Sequence, residues 1–318
     1  MNFTTKIPIQ KHQFPIDYDS KIMLLGSCFA ENIAEKFEYY KFQNVVNPYG
    51  IIFNAVSIER ILERIVNQEE FTEKDIFFYN ELWHCFEVHS NLSNSNKDLF
   101  LKNLNEILAM SYIQIISLTH CIITLGTSWV YRNIETNKIV ANCHKMPQKY
   151  FKKELLSAET TQKSIENTIA LIQLININVK FIFTVSPVRH IKDGFVENNV
   201  SKGNLLTAIF TQLQTEYCKL NITYFPSYEI VLDELRDYRF YADDMLHPSQ
   251  LAINYIWKKF YENYVSEKEF ETMLEVCDIQ KALRHKPFNL NSENHNKFIE
   301  NLNQKIHSIT KKQSHFKF

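Results

Sequence analysis

The chain has 318 residues, of which 45% are hydrophobic and 22% charged, and its formal net charge is −1. This composition is ordinary for a globular protein with a large core, and it gives no reason to expect nucleic acid or an anionic membrane as a partner. No apolar run approaches the roughly 20 residues that span a bilayer, and the first residues lack the apolar segment of a secretory signal. We expect a cytoplasmic protein whose six irregularly spaced cysteines are reduced.

Short apolar runs predict four buried strands, at residues 22–25, 121–125, 181–185 and 222–225. Segments with the helical spacing i, i+3, i+4, i+7 occur between and after these runs, beginning at Ala30, Ile58, Leu206 and Ile253. Strands that alternate with helices predict an α/β protein with a mainly parallel central sheet covered on both faces. Such sheets hold their sites beyond the carboxyl ends of the strands.

Two stretches interrupt the alternation and predict β-hairpin insertions at the edge of the main sheet. The first spans 75–90 with a turn near Asn80-Glu81, and the second spans 129–142 with a turn at 135–138. From 286 to 296 the chain is polar, and an apolar stripe then predicts a last helix that docks on the domain or on a second copy. We therefore divide the chain into a domain at 1–284 and a linker with an amphipathic helix at 285–318.

The segment "KIMLLGSCFAENIAEKF" places a Gly-Ser-Cys corner between the first strand and the first helix. Gly26 permits a tight turn, and the free N–H groups at a helix start stabilise negative charge there. A thiol at Cys28 is then expected to have a lowered pKa, whereas a serine at Ser27 needs a neighbouring base. The alternative is that Ser27 is only an N-cap and Cys28 a small buried residue.

The segment "YADDMLHPSQLAINYIW" supplies a candidate base. His247 precedes Pro248 at the start of a helix, so it is held in an extended conformation in a loop. Asp244, three residues earlier, is placed to accept the Nδ1–H of His247, which leaves Nε2 free as a base. The alternative is that both residues merely occupy a loop before a helix.

With these two motifs, the chain resembles the GSCFA family, a branch related to the SGNH/GDSL hydrolases. The resemblance rests on "LGSCFAEN", "NPYGIIFN", "TLGTSWVYR", "ANCHK", "SPVRH" and "DDMLHPS", in that order over roughly residues 22–264. It implies a three-layer α/β/α fold of the SGNH or flavodoxin-like type, and acyl-ester or acyl-transfer chemistry.

The resemblance also implies roles for single residues. The SGNH nucleophile lies two residues after the glycine, which selects Cys28, with Ser27 as the competing assignment; Asp244 and His247 match the second SGNH motif. Backbone N–H groups of Cys28 and Gly50 are expected in the oxyanion hole. The position two residues after Gly126, usually asparagine, is Ser128 here, and Asn142 is an alternative donor.

Several other polar residues are candidates for substrate binding. His144 and Lys145 in "ANCHK" are expected to line the cleft or bind an anionic group, because adjacent Cys-His pairs lack the ligand spacing common in zinc sites. Arg189 and His190 follow a predicted strand, and Arg189 suits a carboxylate or phosphate, with a surface ion pair as the alternative. Trp129 is a candidate aromatic wall.

We predict an esterase or acyltransferase that forms an acyl-enzyme, acts on acylated glycans or their precursors, and uses no cofactor or metal. Its partner is a small-molecule or glycan substrate, with no nucleic acid and no membrane, and the oligomeric state is not predicted. The alternative is a non-catalytic module that binds an anionic glycan or nucleotide on the same fold.

Overall fold

A computed structural model describes residues 4–215, 221–289 and 292–318. The ten strands of the described part are β1 Lys21–Gly26, β2 Gln43–Val46, β3 Phe77–Tyr79, β4 Leu82–His84, β5 His120–Leu125, β6 Trp129–Asn133, β7 Ile139–Val140, β8 Phe151–Leu155, β9 Lys180–Val185 and β10 Ile222–Tyr224. The nine α-helices of the described part are α1 Cys28–Tyr39, α2 Ala55–Val66, α3 Lys97–Ile116, α4 Ala158–Ile175, α5 Phe195–Leu213, α6 Ser227–Glu229, α7 Gln250–Tyr264, α8 Phe270–Leu283 and α9 Glu293–Lys312.

The central sheet has five strands in the order β10-β9-β5-β1-β2, and every neighbouring pair is parallel. Counted along the chain within this sheet, the order is that of flavodoxin-like folds, in which sites lie where the order reverses, between β1 and β5. The four strands predicted from apolar runs are confirmed. The fifth, β2, was not predicted because it is a half-buried edge strand with two polar residues.

The central strands β1, β2, β5 and β9 contribute alternate side chains to two hydrophobic cores, one on each face of the sheet. Met23 and Leu25 point into a core covered by α2, α3, α4 and α5, whereas Ile22 and Leu24 point into one covered by α1, α7, α8 and α9. Side chains alternate across a strand, so one apolar run can supply both faces. The predicted three-layer α/β/α architecture is confirmed.

The two predicted hairpins form, but they build sheets of their own. Strands β3 and β4 pair around Asn80 and Glu81, both of which have positive φ. Strand β6 pairs with β7 and also with β8. Strand β8 was not predicted from the sequence because three of its five residues are charged. Within the described residues neither small sheet pairs with the central one, so the hairpins add no strand to it.

The C-terminal helix packs on the rest of the chain. Leu302 and Ile309 of α9 are buried in the same core as α1 and α7, and Phe316 beyond the helix contacts the ring of Tyr18. The five described cysteines are free thiols, and Cys218 lies outside the described residues. In the described part of the chain, no helix combines the length and apolar character needed to cross a bilayer.

Candidate active site

The bend at the end of β1 requires a glycine. Gly26 has a φ of +129°, which residues with a side chain rarely adopt. A Cβ atom on it would lie 2.1 Å from the carbonyl oxygen of Thr124 on β5. The N–H of Gly26 donates to Asn47 Oδ1 at 2.9 Å. This bend places the start of α1 beside the end of β5, at the position where the strand order reverses.

The two candidate nucleophiles differ in their surroundings. Ser27 is buried and is the N-cap of α1, because its Oγ accepts a hydrogen bond from the N–H of Phe29 at 3.3 Å. Cys28 is partly exposed, and its own N–H makes no hydrogen bond to another of the described residues. The N-cap role of Ser27 is therefore confirmed, and Cys28 has the more accessible side chain of the two.

The thiol of Cys28 is not acidic in the free protein. Burial raises its pKa and the carboxylate of Glu31 raises it further. The N–H groups of Phe29 and Cys28 and the charge of Lys202 lower it, but they do not outweigh the first two effects. The predicted lowering of this pKa is therefore wrong, because desolvation dominates. Removal of the thiol proton requires a base.

Lys202 is a buried lysine at this edge of the sheet that sequence reasoning missed. Its Nζ donates to the carbonyl oxygens of Gly126, at 2.6 Å, and Ser186, at 2.7 Å, which directly follow β5 and β9. Burial lowers its pKa to about 7, Cys28 raises it and Arg189 lowers it. Helical periodicity could have indicated that this lysine is buried, since residue 202 precedes the buried Leu205 by three positions on α5.

Asp244 and His247 form the pair that the sequence predicts. His247 Nδ1 lies 2.5 Å from Asp244 Oδ2, and Asp244 Oδ1 accepts the backbone N–H groups of Leu246 and His247, each at 2.9 Å. These two N–H groups and the imidazole lower the pKa of Asp244 to about 2. His247 Nε2 has no partner in the described residues and is half exposed. The following helix begins at Gln250 with Ser249 as N-cap, so Pro248 precedes it rather than beginning it.

Arg189 and His190 lie in the loop after β9, close to the same groups. The Arg189 guanidinium is partly buried, and within the described ranges it makes no hydrogen bond or ion pair, although its charge acts on Lys202 and Tyr241. Burial and the charges of Lys202 and His247 lower the pKa of His190 to about 4, against the effect of Asp193. His190 therefore lies close enough to both Lys202 and His247 for their charges to act on it.

Two of the predicted oxyanion donors are already used. The N–H of Gly50 donates to the carbonyl oxygen of Asn47 at 2.7 Å. Ser128 is buried, and both its N–H and its hydroxyl donate to Ser201. The expected roles of Gly50 and Ser128 therefore do not fit the structure. Asn142 Oδ1 accepts bonds from Ser90 and from the N–H of His144, and its amide nitrogen has no partner among the described residues.

The remaining candidates lie in different surroundings. His144 is buried, with Nε2 bound to the carbonyl oxygen of Cys85 at 2.7 Å and Nδ1 to Ser90 Oγ at 3.0 Å, so its predicted place in the cleft is wrong. Lys145 is exposed. The indole N–H of Trp129 donates to the carbonyl oxygen of Glu197. Over residues 4–215, 221–289 and 292–318, no three His, Cys, Asp or Glu side chains are grouped as a metal site.

Two family models match the chain. The GSCFA family model covers residues 21–260, which include every candidate residue described above, and the model named GSCFA domain protein, C-terminal domain covers residues 276–318. No curated protein matches the chain with significant similarity. Because the first match covers three quarters of the sequence, the chain belongs to the GSCFA family.

Proposed function

We propose that this protein is an SGNH-like hydrolase or acyltransferase that forms an acyl-enzyme on Cys28. The observation that carries the proposal is the hydrogen bond between His247 and Asp244, which leaves Nε2 of His247 unpartnered among the described residues. A base is what the Cys28 thiol needs, since its pKa is raised. The order of the motifs, Gly-Ser-Cys first and Asp-x-x-His last, also agrees with SGNH enzymes.

In the proposed reaction, His247 Nε2 takes the proton from Cys28 Sγ as the sulfur attacks the acyl carbonyl carbon. Asp244 holds the imidazole and stabilises its charged form. The ester C–O bond then breaks, the alkoxide takes the proton from His247, and a thioester remains on Cys28. Water or a sugar hydroxyl then loses its proton to His247 and attacks the carbonyl carbon of the thioester. The C–S bond breaks, the Cys28 thiolate takes the proton from His247, and the acid or the new ester is released.

The developing oxyanion needs hydrogen-bond donors that are free in the resting protein. The N–H of Cys28 meets this condition, and the side-chain amide nitrogen of Asn142 is the second candidate. The charge of Lys202 supports negative charge at the same edge. These groups replace Gly50 and Ser128 in the proposed oxyanion hole.

The substrate is proposed to carry an anionic group that Arg189 binds. Arg189 is a half-buried residue without a carboxylate partner in the described part of the chain, and its charge lowers the pKa of Lys202, so a bound anion would relieve the repulsion between the two cations. A carboxylate or phosphate on an acylated glycan or its precursor supplies such an anion. A cytoplasmic location remains the expectation from the sequence.

The test is the release of p-nitrophenol from p-nitrophenyl acetate by wild type and by Cys28→Ala, Ser27→Ala and His247→Ala. We expect a burst in wild type and in Ser27→Ala, and none in Cys28→Ala or His247→Ala. A stoichiometric acetyl group on the Cys28 peptide, detected by mass spectrometry, identifies the intermediate. Equal rates in wild type and all three variants would overturn the proposal.

The second candidate function is a binding module for an anionic glycan or nucleotide. The observation that favours it is the loss of two predicted oxyanion donors, Gly50 and Ser128, to internal hydrogen bonds. A binding module predicts no burst with any variant, together with reduced ligand affinity in Arg189→Gln. The presence or absence of a burst, together with the affinity of Arg189→Gln, therefore separates the two functions.

A further inference from the structure

A cleft of about 850 Å³ opens between the C-terminal half of α1, helix α7 and the end of α8. Its lining includes Gln250, three residues after His247, and Lys36, eight residues after Cys28 on the same helix. Because an α-helix rises 1.5 Å per residue, Lys36 lies about 12 Å along the axis from Cys28. The cleft is therefore lined by the same two helices whose first residues lie next to Cys28 and His247 in sequence.

Lys36 and Arg284 are two basic residues in the lining of this cleft. Lys36 Nζ donates to Asn254 Oδ1 at 2.5 Å, and the Arg284 guanidinium lies 5.2 Å from the ring centre of Tyr39. Neither forms an ion pair within the described ranges. Burial lowers the pKa of Lys36, the carboxylate of Glu35 raises it and the charge of Arg284 lowers it, so both charged groups lie close enough to act on Lys36. The charged lining is four basic and two acidic residues, namely Lys36, Lys41, Lys258, Arg284, Glu35 and Glu38.

The rest of the lining is amide and aromatic. Gln250 Nε2 donates to Asn254 Oδ1 at 3.1 Å, which links the amide groups along α7 to Lys36. The ring of Tyr40 stacks on Trp257 at 5.7 Å. The indole N–H of Trp257 is buried and makes no hydrogen bond in the described structure. It lies close enough to the hydroxyl of Tyr40 to favour the ionised form of that hydroxyl. A buried donor of this kind is commonly completed by water or a ligand.

We propose that this cleft binds an acidic oligosaccharide segment of the substrate, beyond the group that reacts at Cys28. The two cations suit carboxylates, the amides suit hydroxyl groups, and the volume is within the range of ligand pockets. A nucleobase fits less well, because one face of Tyr40 is covered by Trp257 and Arg284 lies over Tyr39. The link to Cys28 rests on the proposed function, but binding in the cleft does not.

The test is calorimetric titration of full-length Cys28→Ala protein, which excludes turnover, with a hexamer of galacturonic acid. The neutral comparison is cellohexaose, and the nucleic-acid comparison is a thymidine hexanucleotide. We expect the acidic hexamer to bind at least tenfold more tightly than either. We also expect Lys36→Gln and Arg284→Gln each to weaken its binding about tenfold, with partial recovery in Arg284→Lys.

The matched control is Lys102→Gln, an exposed lysine of α3 outside the cleft, which is expected to bind as the parent protein does. The proposal is overturned if the acidic and neutral hexamers bind alike, if Arg284→Gln and Lys102→Gln behave alike, or if the oligonucleotide binds best. If the cleft does not bind the acidic hexamer, the burst with p-nitrophenyl acetate is still expected. If there is no burst, binding of the acidic hexamer is still expected. The two proposals can therefore fail separately.

Discussion

His247 and His144 occupy opposite kinds of surroundings. The imidazole of His247 is half exposed and bound on one side only, to Asp244. The imidazole of His144 is buried and bound on both sides, to Cys85 and Ser90. Both belong to motifs that suggested function, yet only the first ring keeps a nitrogen available to a substrate. The difference teaches that a histidine's chemistry depends on the nitrogen that the fold leaves unused.

The most direct test of this contrast is to replace each of the two histidines by glutamine. We expect His247→Gln to lower the rate of p-nitrophenyl acetate cleavage by about 10²–10⁴, since it removes the proposed base. His144→Gln is expected to stay within about threefold of wild type at pH 7.5 and 20 °C. If the two variants lose similar amounts of activity, the contrast between the two sites is wrong.

The second prediction concerns stability in acid. Burial lowers the pKa of His144 to about 4, whereas the unfolded chain takes up this proton near pH 6.5. The unfolded state is therefore favoured as the pH falls from 6.5 to 4, at a cost of about 3 kcal/mol in the free energy of unfolding. Urea unfolding at a series of pH values is expected to give a shallower acid slope for His144→Gln than for wild type. Parallel slopes would contradict the assigned burial effect.

The third prediction concerns the reactivity of Cys28. Lys202→Met removes a nearby positive charge, so we expect iodoacetamide to label Cys28 about three- to tenfold more slowly at pH 6.5. The pKa of Lys202 is about 7, so its charge is largely lost by pH 9 and the two rates are expected to converge there. A rate ratio that does not change with pH would instead indicate a structural role for Lys202.

The smallest expected effect is that of Ser27→Ala. This substitution removes the acceptor for the N–H of Phe29 and is expected to lower the free energy of unfolding by about 1 kcal/mol. Esterase activity is expected to remain, because the proposed nucleophile is the adjacent residue. Loss of activity with unchanged stability would transfer the nucleophile assignment to Ser27.

Much of the fold was predictable because burial leaves a pattern in the sequence. The apolar runs marked four of the five central strands, and the turn at Asn80-Glu81 marked the first hairpin. Strand β2 is half-buried and β8 carries charged residues, so neither has the apolar run used for prediction. The joining of β6 to β8 depends on pairing between distant segments, which periodicity does not encode.

The site was predictable only where its contacts are local. Asp244 and His247 are three residues apart, so their hydrogen bond follows from a turn. The hydrogen bond from Ser128 to Ser201 joins residues 73 positions apart, so it depends on how distant segments pack together. The pKa of Cys28 depends first on burial, which follows from the packing of the whole domain, then on Glu31 and, more weakly, on Lys202, which is 174 positions away in sequence (202 − 28).

The packing of α8 and α9 has a practical consequence for anyone who divides this protein. The first family match ends at residue 260 and the second begins at residue 276, but the hydrophobic core continues across this boundary. Met273, Val276 and Leu302 cover the same side of the sheet as Phe37 and Phe260. A fragment that ends at residue 260 would expose part of this core, and we expect it to aggregate even though it holds every proposed catalytic group.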